Sequence, residues 1–356
     1  MKTIRFSIFG NFLLVLVLFT NIVNATVWRV NNNTNYSFWS GTQVFNSLQT
    51  AISSDLVMSG DIIYLEASAT NYANALITNK ALTIIGPGYF LGENTGLQAN
   101  PTSAKITTLT FGIGSSGSSI YGVEFAANNS SIVLSVANES LSNITISRCK
   151  LAGSISAPSN AGNINNLLIT KSYLNNIFIA GTGTLNVTNL IIANNYIADN
   201  INLKSNTTGS IYQNVIQSYA SFYGLPFYNN IILRTSANGI VQNNNSSTNV
   251  YNNISRFTQP SWLIGGNNIF GITNDAYLFA NIADTSDKKY QLKPQNVCPE
   301  CYQGLAPNIQ IGMYGGADPY ILSGIPGIPS IYLLQSSSST NQNGTLSVTI
   351  SSKSNN

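Results

Sequence analysis

The sequence predicts an all-β chain: a right-handed, single-stranded parallel β-helix with a short N-terminal capping helix and a C-terminal β-hairpin-like tail. Three observations carry that prediction. A unit of about 23 residues recurs through the middle of the chain, and periods of 20–50 residues mark solenoids and arrays. Within each unit the apolar residues alternate, as in Ile144 and Ile146, Leu167 and Ile169, and Leu190 and Ile192, which is the two-residue period of a strand. Asn supplies 50 of the 356 residues while charged residues make up 8%, against roughly 25% in an ordinary soluble domain.

The elements follow in order. Residues 1–25 read as a secretory signal peptide: Lys2 and Arg5 form the positive start, Phe12 to Phe19 is an unbroken apolar run, and Val23-Asn24-Ala25 ends in small or apolar residues. The apolar run is too short to span a bilayer, which needs about 20 residues, so no transmembrane segment is expected in the mature chain. Removing Lys2 and Arg5 takes the net charge from +3 to +1, leaving no electrostatic hint of a partner. Residues 26–322 are assigned to the β-helix and 323–356 to a Pro/Gly linker and a two-strand tail. Phe45 to Val57 predicts an amphipathic helix with Phe45, Leu48, Ala51, Ile52 and Leu56 largely on one face. Such a helix would close the open end of the stack, as terminal units of a solenoid must. Gly60-Asp61-Ile62-Ile63-Tyr64-Leu65 begins the first coil, and Leu82-Thr83-Ile84-Ile85-Gly86-Pro87-Gly88-Tyr89 supplies another strand and its turn.

The repeats are anchored on Cys149, Ser172 and Asn195, spaced 23 and 23 residues apart, and continue at Asn214, Asn230 and Asn253 with spacings of 19, 16 and 23. In a parallel β-helix each strand bonds to the coils above and below at about 4.8 Å, so equivalent side chains stack in files. Asn both donates and accepts amide hydrogen bonds along such a file, and it tolerates the left-handed backbone of a tight turn. These six residues are therefore expected to form an internal ladder, with Cys149 and Ser172 at its less polar end. Charge is scarce because a file of like charges would repel itself.

The helix, the Gly-Asp-Ile-Ile-Tyr strand and the Leu-Thr-Ile-Ile-Gly-Pro-Gly-Tyr strand resemble the start of right-handed parallel β-helix proteins of the pectin-lyase-like group. Tyr290-Gln291-Leu292-Lys293 with Ile311-Gly312-Met313-Tyr314-Gly315-Gly316 resembles the last coil of secreted bacterial members. The resemblance covers about 28–322 and implies the fold. For activity it implies only a range, since the group includes lyases, hydrolases, isomerases and non-enzymatic surface proteins.

Composition excludes several chemistries. With no His, a histidine base, a His metal ligand and a Ser/His/Asp triad are impossible. The 15 Lys and Arg are scattered, which argues against a nucleic-acid surface. The resemblance implies calcium-dependent lyases with an Arg or Lys base, or hydrolases with clustered Asp. This chain departs from both, because the acids across the repeats are Glu124, Glu139 and Asp199, none sharing a file. Calcium wants 6–8 oxygen ligands, and a glycosidase needs two carboxylates about the bond. No metal site and no cofactor are predicted. Asp275, Asp284 and Asp287 cluster in sequence and read as a solvated loop.

Two outward files are candidate ligand sites. Arg148 and Lys171, followed by Asn194, are expected roughly 5 Å apart on the outer surface, where paired cations could hold a carboxylate or sulfate of a glycan. Two solvated side chains splaying apart is the competing reading. The neighbouring file, Lys150, Tyr173 and Tyr196, could stack on sugar rings, or its tyrosines could serve packing alone. Cys298-Pro299-Glu300-Cys301 after an export signal reads as a local disulfide, with a reduced, inert pair as the next reading and a metal or redox site as the last. Sequons at Asn143, Asn186 and Asn206 are explained by the abundance of Asn, Ser and Thr. In the tail, Ser330 to Leu334 and Thr345 to Ile350 predict two strands. Two strands alone are marginal in water, so they are expected to pack on the β-helix or to pair with another chain by edge addition.

The expected function is that of a secreted or cell-surface β-helix that binds a polysaccharide or serves display, without catalysis. The alternatives are a polysaccharide lyase or hydrolase with an atypical site, and an adhesive protein-binding surface protein.

Overall fold

The computed structural model describes residues 25–33, 44–135, 139–157, 162–180, 183–238, 240–241, 249–261, 263, 266–304, 308–336 and 346–355. The expected signal peptide and the N-terminal end of the second tail strand at Thr345 lie outside the described residues.

The chain winds into a parallel β-solenoid of about 8 turns. One sheet stacks Val27–Val30, Ile62–Leu65, Thr83–Ile85, Ser119–Tyr121, Ser140–Ser147, Asn163–Thr170, Leu190–Ala193, Gly209–Tyr212, Phe227–Tyr228 and Val250–Tyr251. A second stacks Ala75–Ile77, Thr108–Phe111, Ser131–Leu134, Lys150–Ser156, Tyr173–Ile179, Tyr196–Ile197, Val215–Ile216, Ile231–Ile232 and Ile254–Ser255. The ladders between coils are parallel, and the register shifts only between Leu151 and Ser154 of Lys150–Ser156 where that strand pairs with Tyr173–Ile179. Thus Ile84 sits over Ile120, then Ile146, Ile169, Ile192, Ile211, Phe227 and Val250. All eight are buried, so this single file fills the bore with side chains worth about 1.5–3 kcal/mol each on burial.

The N-terminal helix, α1, is shorter than the sequence predicts and spans Leu48–Ser53, capped by Ser47, whose hydroxyl accepts from Thr50 N–H. Leu48, Ala51 and Ile52 face the core as expected. Leu56 does not, because the helix has already ended and its side chain is 65% exposed; Phe45 belongs to a two-residue strand beside Val27–Val30.

The turn between the two sheets explains much of the composition. The residue at that corner adopts φ of 50–65° in Gly122, Arg148, Lys171, Asn194, Gln213, Asn229, Asn252 and Asn267. Gly and Asn accept this left-handed conformation readily, whereas other residues lose about 1–2 kcal/mol there. The ladder residue follows directly.

The coils stop at Ile269, which bridges to Ile254. Residues 272–328 do not add another coil, as the resemblance implies for 290–316. They fold back along the outside through a short helix, Asp275–Leu278, and one-turn 3-10 segments at Asp287–Tyr290, Pro299–Tyr302 and Leu322–Gly324. The reason lies in the file that follows the ladder: Tyr173, Tyr196, Val215, Ile231 and Ile254 point outward and turn aliphatic. A strip of that kind needs a cover. Phe279, Tyr290, Cys298, Cys301, Ile311 and Met313 supply it, forming a second buried cluster outside the bore.

The tail strands Ser330–Ser336 and Val348–Lys353 pair antiparallel with each other. The hairpin meets the solenoid at its root, where Ala99 N–H donates to Ile331 O at 2.7 Å and Ser330 Oγ donates to Leu97 O at 3.4 Å. Leu334 and Ile350 remain 60% exposed. The hairpin therefore does not pack its length on the coils, because it follows the covering segment and departs from the surface that segment already occupies.

Candidate functional site

The ladder residues form one vertical file. Cys149 N–H donates to Ser172 Oγ at 3.1 Å and Ser172 N–H to Asn195 Oδ1 at 2.9 Å. Asn195 N–H donates to Asn214 Oδ1, Asn214 N–H to Asn230 Oδ1 and Asn230 N–H to Asn253 Oδ1, at 2.9, 3.0 and 2.9 Å. The file runs one rung further than the sequence reading, since Asn253 N–H donates to Asn268 Oδ1 at 3.1 Å. The 15-residue spacing from Asn253 to Asn268 hid that rung. Each carboxamide closes the corner by bonding the coil on either side, so the turn needs no water. Burial pushes the Cys149 thiol up to about 12, against backbone hydrogen bonds that lower it; it is a structural rung, not a nucleophile.

The left-handed file beside the ladder is where the covering segment docks. Lys171 pairs with Asp318, Arg148 Nη1 donates to Ile325 O at 2.7 Å, and Gln213 Nε2 donates to Gln310 O at 3.1 Å. Asn194 Nδ2 reaches both Met313 O at 3.0 Å and Gly315 O at 2.8 Å. The three corner residues that are neither Gly nor Asn are thus bonded to the strap at 310–325, and those bonds offset their backbone strain. Arg148 and Lys171 do stack in successive coils, but they are not the paired solvent-facing cations expected from sequence: Lys171 is buried and neutralised. Burial pushes the Arg148 guanidinium down, with Asp318 opposing the shift.

The strap is pinned by an unexpected group. Asp287, read from sequence as part of a solvated loop, is fully buried. Its carboxylate accepts from Asn94 Nδ2 at 2.7 Å, Tyr320 OH at 2.8 Å and Ser323 N–H at 2.6 Å. Burial raises its pKa, and these bonds only partly counter that. Asp275 pairs with Arg256, and Asp284 accepts from Ser286 N–H at 2.7 Å. Gly324, at φ 56°, lets the strap pass between Tyr89 and Arg148, since a Cβ there would lie 2.4 Å from the Tyr89 ring and 2.6 Å from Arg148 O.

The file Lys150, Tyr173 and Tyr196 is also covered. Tyr196 stacks on Tyr290 with centroids 4.3 Å apart, and Phe90 meets Tyr173 edge-on at 5.2 Å. Neither tyrosine offers a free face to a sugar, because the covering segment buries the strip they belong to. Lys150 Nζ donates to Glu124 Oε1 at 2.8 Å and lies 4.3 Å from the Phe90 ring centroid. Burial would raise the Glu124 carboxyl; the Lys150 hydrogen bond and charge, with Ser103, hold it lowered. Cys298 and Cys301 form a disulfide.

What stays open is a cleft of 370 Å³ beside Arg148 and Lys171. Its floor takes in Ile85, Tyr121, Ser147 and Thr170 of the outward file of the first sheet, which runs on through Ala193 to Tyr212, Tyr228 and Tyr251. In that file three small residues separate Tyr121 from Tyr212, about 19 Å apart at four inter-coil steps; the cleft reaches Ser147 and Thr170, while Ala193 is buried. Beyond it Tyr212, Tyr228 and Tyr251 stack face to face at 5.0 and 4.9 Å. Asp318 and Pro326 to Ile328 of the strap form the facing wall. The repeat spacing already places Tyr121 and Tyr212 in one column, but only the path of the strap decides which part of that column stays open.

Among the described residues no group of three His, Cys, Asp or Glu side chains could hold a metal ion, and no helix is long and apolar enough to cross a membrane. No protein-family model, curated protein or solved structure matches this chain.

Proposed function

We propose that this chain is an exported, rigid β-solenoid that binds an acidic polysaccharide at the Arg148 cleft without cutting it. The observation that carries the reading is the cleft floored by Tyr121, Ser147 and Thr170, edged by Arg148 and walled by Pro326 to Ile328. Its shape suits an extended polymer lying along the coil axis. Hydroxyls on its floor can exchange hydrogen bonds with sugar hydroxyls, and tyrosine faces or edges pack on sugar rings. Arg148 spends one guanidinium nitrogen on Ile325 O; the rest of the fork can meet a carboxylate. With Lys171 paired to Asp318, the net charge of the cleft is one positive, which favours an acidic over a neutral chain. Among the described residues Asp318 is the one acid in the cleft wall, and hydrolysis of a glycoside needs a pair.

The test is affinity electrophoresis and calorimetry with polygalacturonate, with ultraviolet absorbance read in parallel. Retention without new absorbance is expected, and Arg148→Gln should weaken it about ten- to hundredfold, the worth of one charge-assisted hydrogen bond. Unchanged retention in that variant would remove the cleft from consideration. One observation favours a second reading: the lowered pKa of Arg148 is the direction a base needs. A polysaccharide lyase using Arg148 would release unsaturated, ultraviolet-absorbing products.

A further inference from the structure

The left-handed corner file emerges from under the strap at its far end, beyond Asn229, and there it opens on a second groove of 610 Å³. Asn252, Asn267 and Asn268 of the last two coils form one side. Gln295, Gln303 and Asn308, from the stretches flanking the Cys298–Cys301 disulfide, form the other, with the Tyr302 ring in the wall. Among the described residues, none that lines this groove carries a charge. Asn252, Asn267 and Asn308 hold φ of 56, 53 and 65°, so their carboxamides project from corners that the backbone fixes. Gln295 Nε2 donates to Asn308 Oδ1 at 2.8 Å, which aligns those two amides. Tyr302 OH donates to Lys293 O at 3.1 Å, which holds the ring in place.

We propose that this groove is a second binding site, for an uncharged sugar. A carboxamide presents a donor and an acceptor side by side, the pattern that a vicinal diol of a sugar matches in both directions. An ionised ligand would be desolvated here with no counter-charge, at a cost that neutral hydroxyls avoid. The volume lies within the usual 300–1,000 Å³ of small-molecule sites. Both walls are braced before ligand arrives, one by in-register coils and one by a disulfide, so little ordering is lost on binding. The site is independent of the Arg148 cleft, and a polymer held there would leave this groove untouched.

The experiment is calorimetric titration of the full chain with neutral hexasaccharides of glucose, xylose and mannose. At least one should bind in the micromolar to millimolar range. The double variant Asn252→Asp/Asn267→Asp retains residues that tolerate the left-handed corner and should weaken binding at least tenfold. Gln303→Glu, on an exposed position away from the coils, should also weaken it, and it keeps the test open if the double variant does not fold. Arg148→Gln should leave binding unchanged. Absence of binding to every neutral hexasaccharide would overturn the proposal. So would equal binding by Gln303→Glu and the unmodified chain, or binding of uncharged peptides in place of sugars.

Discussion

Asn214 is the rung from which the ladder is best tested. It is completely buried. Its Oδ1 accepts Asn195 N–H at 2.9 Å and Asn195 Nδ2 at 3.1 Å. Its Nδ2 donates to Ile192 O at 2.9 Å, Tyr212 O at 2.8 Å and Asn230 Oδ1 at 3.0 Å. In Asn214→Ala the buried Asn195 N–H loses its acceptor, at about 1–3 kcal/mol, and the two carbonyls lose a donor whose bonds contribute about 1 kcal/mol each. The expected loss is thus about 3–5 kcal/mol, in the range reserved for broken buried networks. Cys149→Ala, at the other end of the file, removes one sulfur and should cost well under half as much. The assay is urea unfolding followed by circular dichroism on both variants, with the slope checked for constancy. If Asn214→Ala lost less than Cys149→Ala, the ladder would be filling space rather than closing corners, and the explanation of the Asn content would fail.

Asp287 makes a prediction of unusual sign. Its folded pKa is raised, so its contribution to stability is complete below the ordinary carboxylate range and is lost as pH rises through the folded value. Unfolding free energies of Asp287→Asn and the unmodified chain, measured from pH 4 upward, should converge in the variant's favour as pH rises; the opposite trend would refute the burial argument. Reducing Cys298–Cys301 opens a loop so short that chain entropy accounts for about 2 kcal/mol; hydrogen exchange should show the 295–304 segment loosening while the ladder amides stay protected. Gly324→Ala should lift the strap from Arg148, at about 2–4 kcal/mol of combined backbone strain and overpacking, and proteolysis between 316 and 328 should accelerate. Tyr228→Ala removes two stacked contacts worth about 0.5–1.5 kcal/mol each beyond area, while Tyr228→Phe should be nearly neutral in thermal melting.

Legibility differed sharply between neighbouring files. The ladder could be read from Cys149 to Asn253 because each coil repeats the same corner and must solve it with the same chemistry. The fates of Lys171, Tyr173 and Tyr196 could not, because their partners Asp318, Phe90 and Tyr290 come from segments that do not repeat. Lys171 and Asp318 are 147 residues apart. A hint was present all the same: the outward file passes from Tyr173 and Tyr196 to Val215, Ile231 and Ile254, and an aliphatic strip on a solenoid wall implies something lying on it.

The amino-acid sequence by itself determined the coil period, the register and the identity of the buried rungs, since stacking makes every coil a template for the next and a one-residue slip would turn each side chain to the wrong face. Only the tertiary structure decided which parts of the outer wall remain open. That depended on the path of residues 272–328, whose course is set by long-range burial against the finished stack, not by any local pattern of their own.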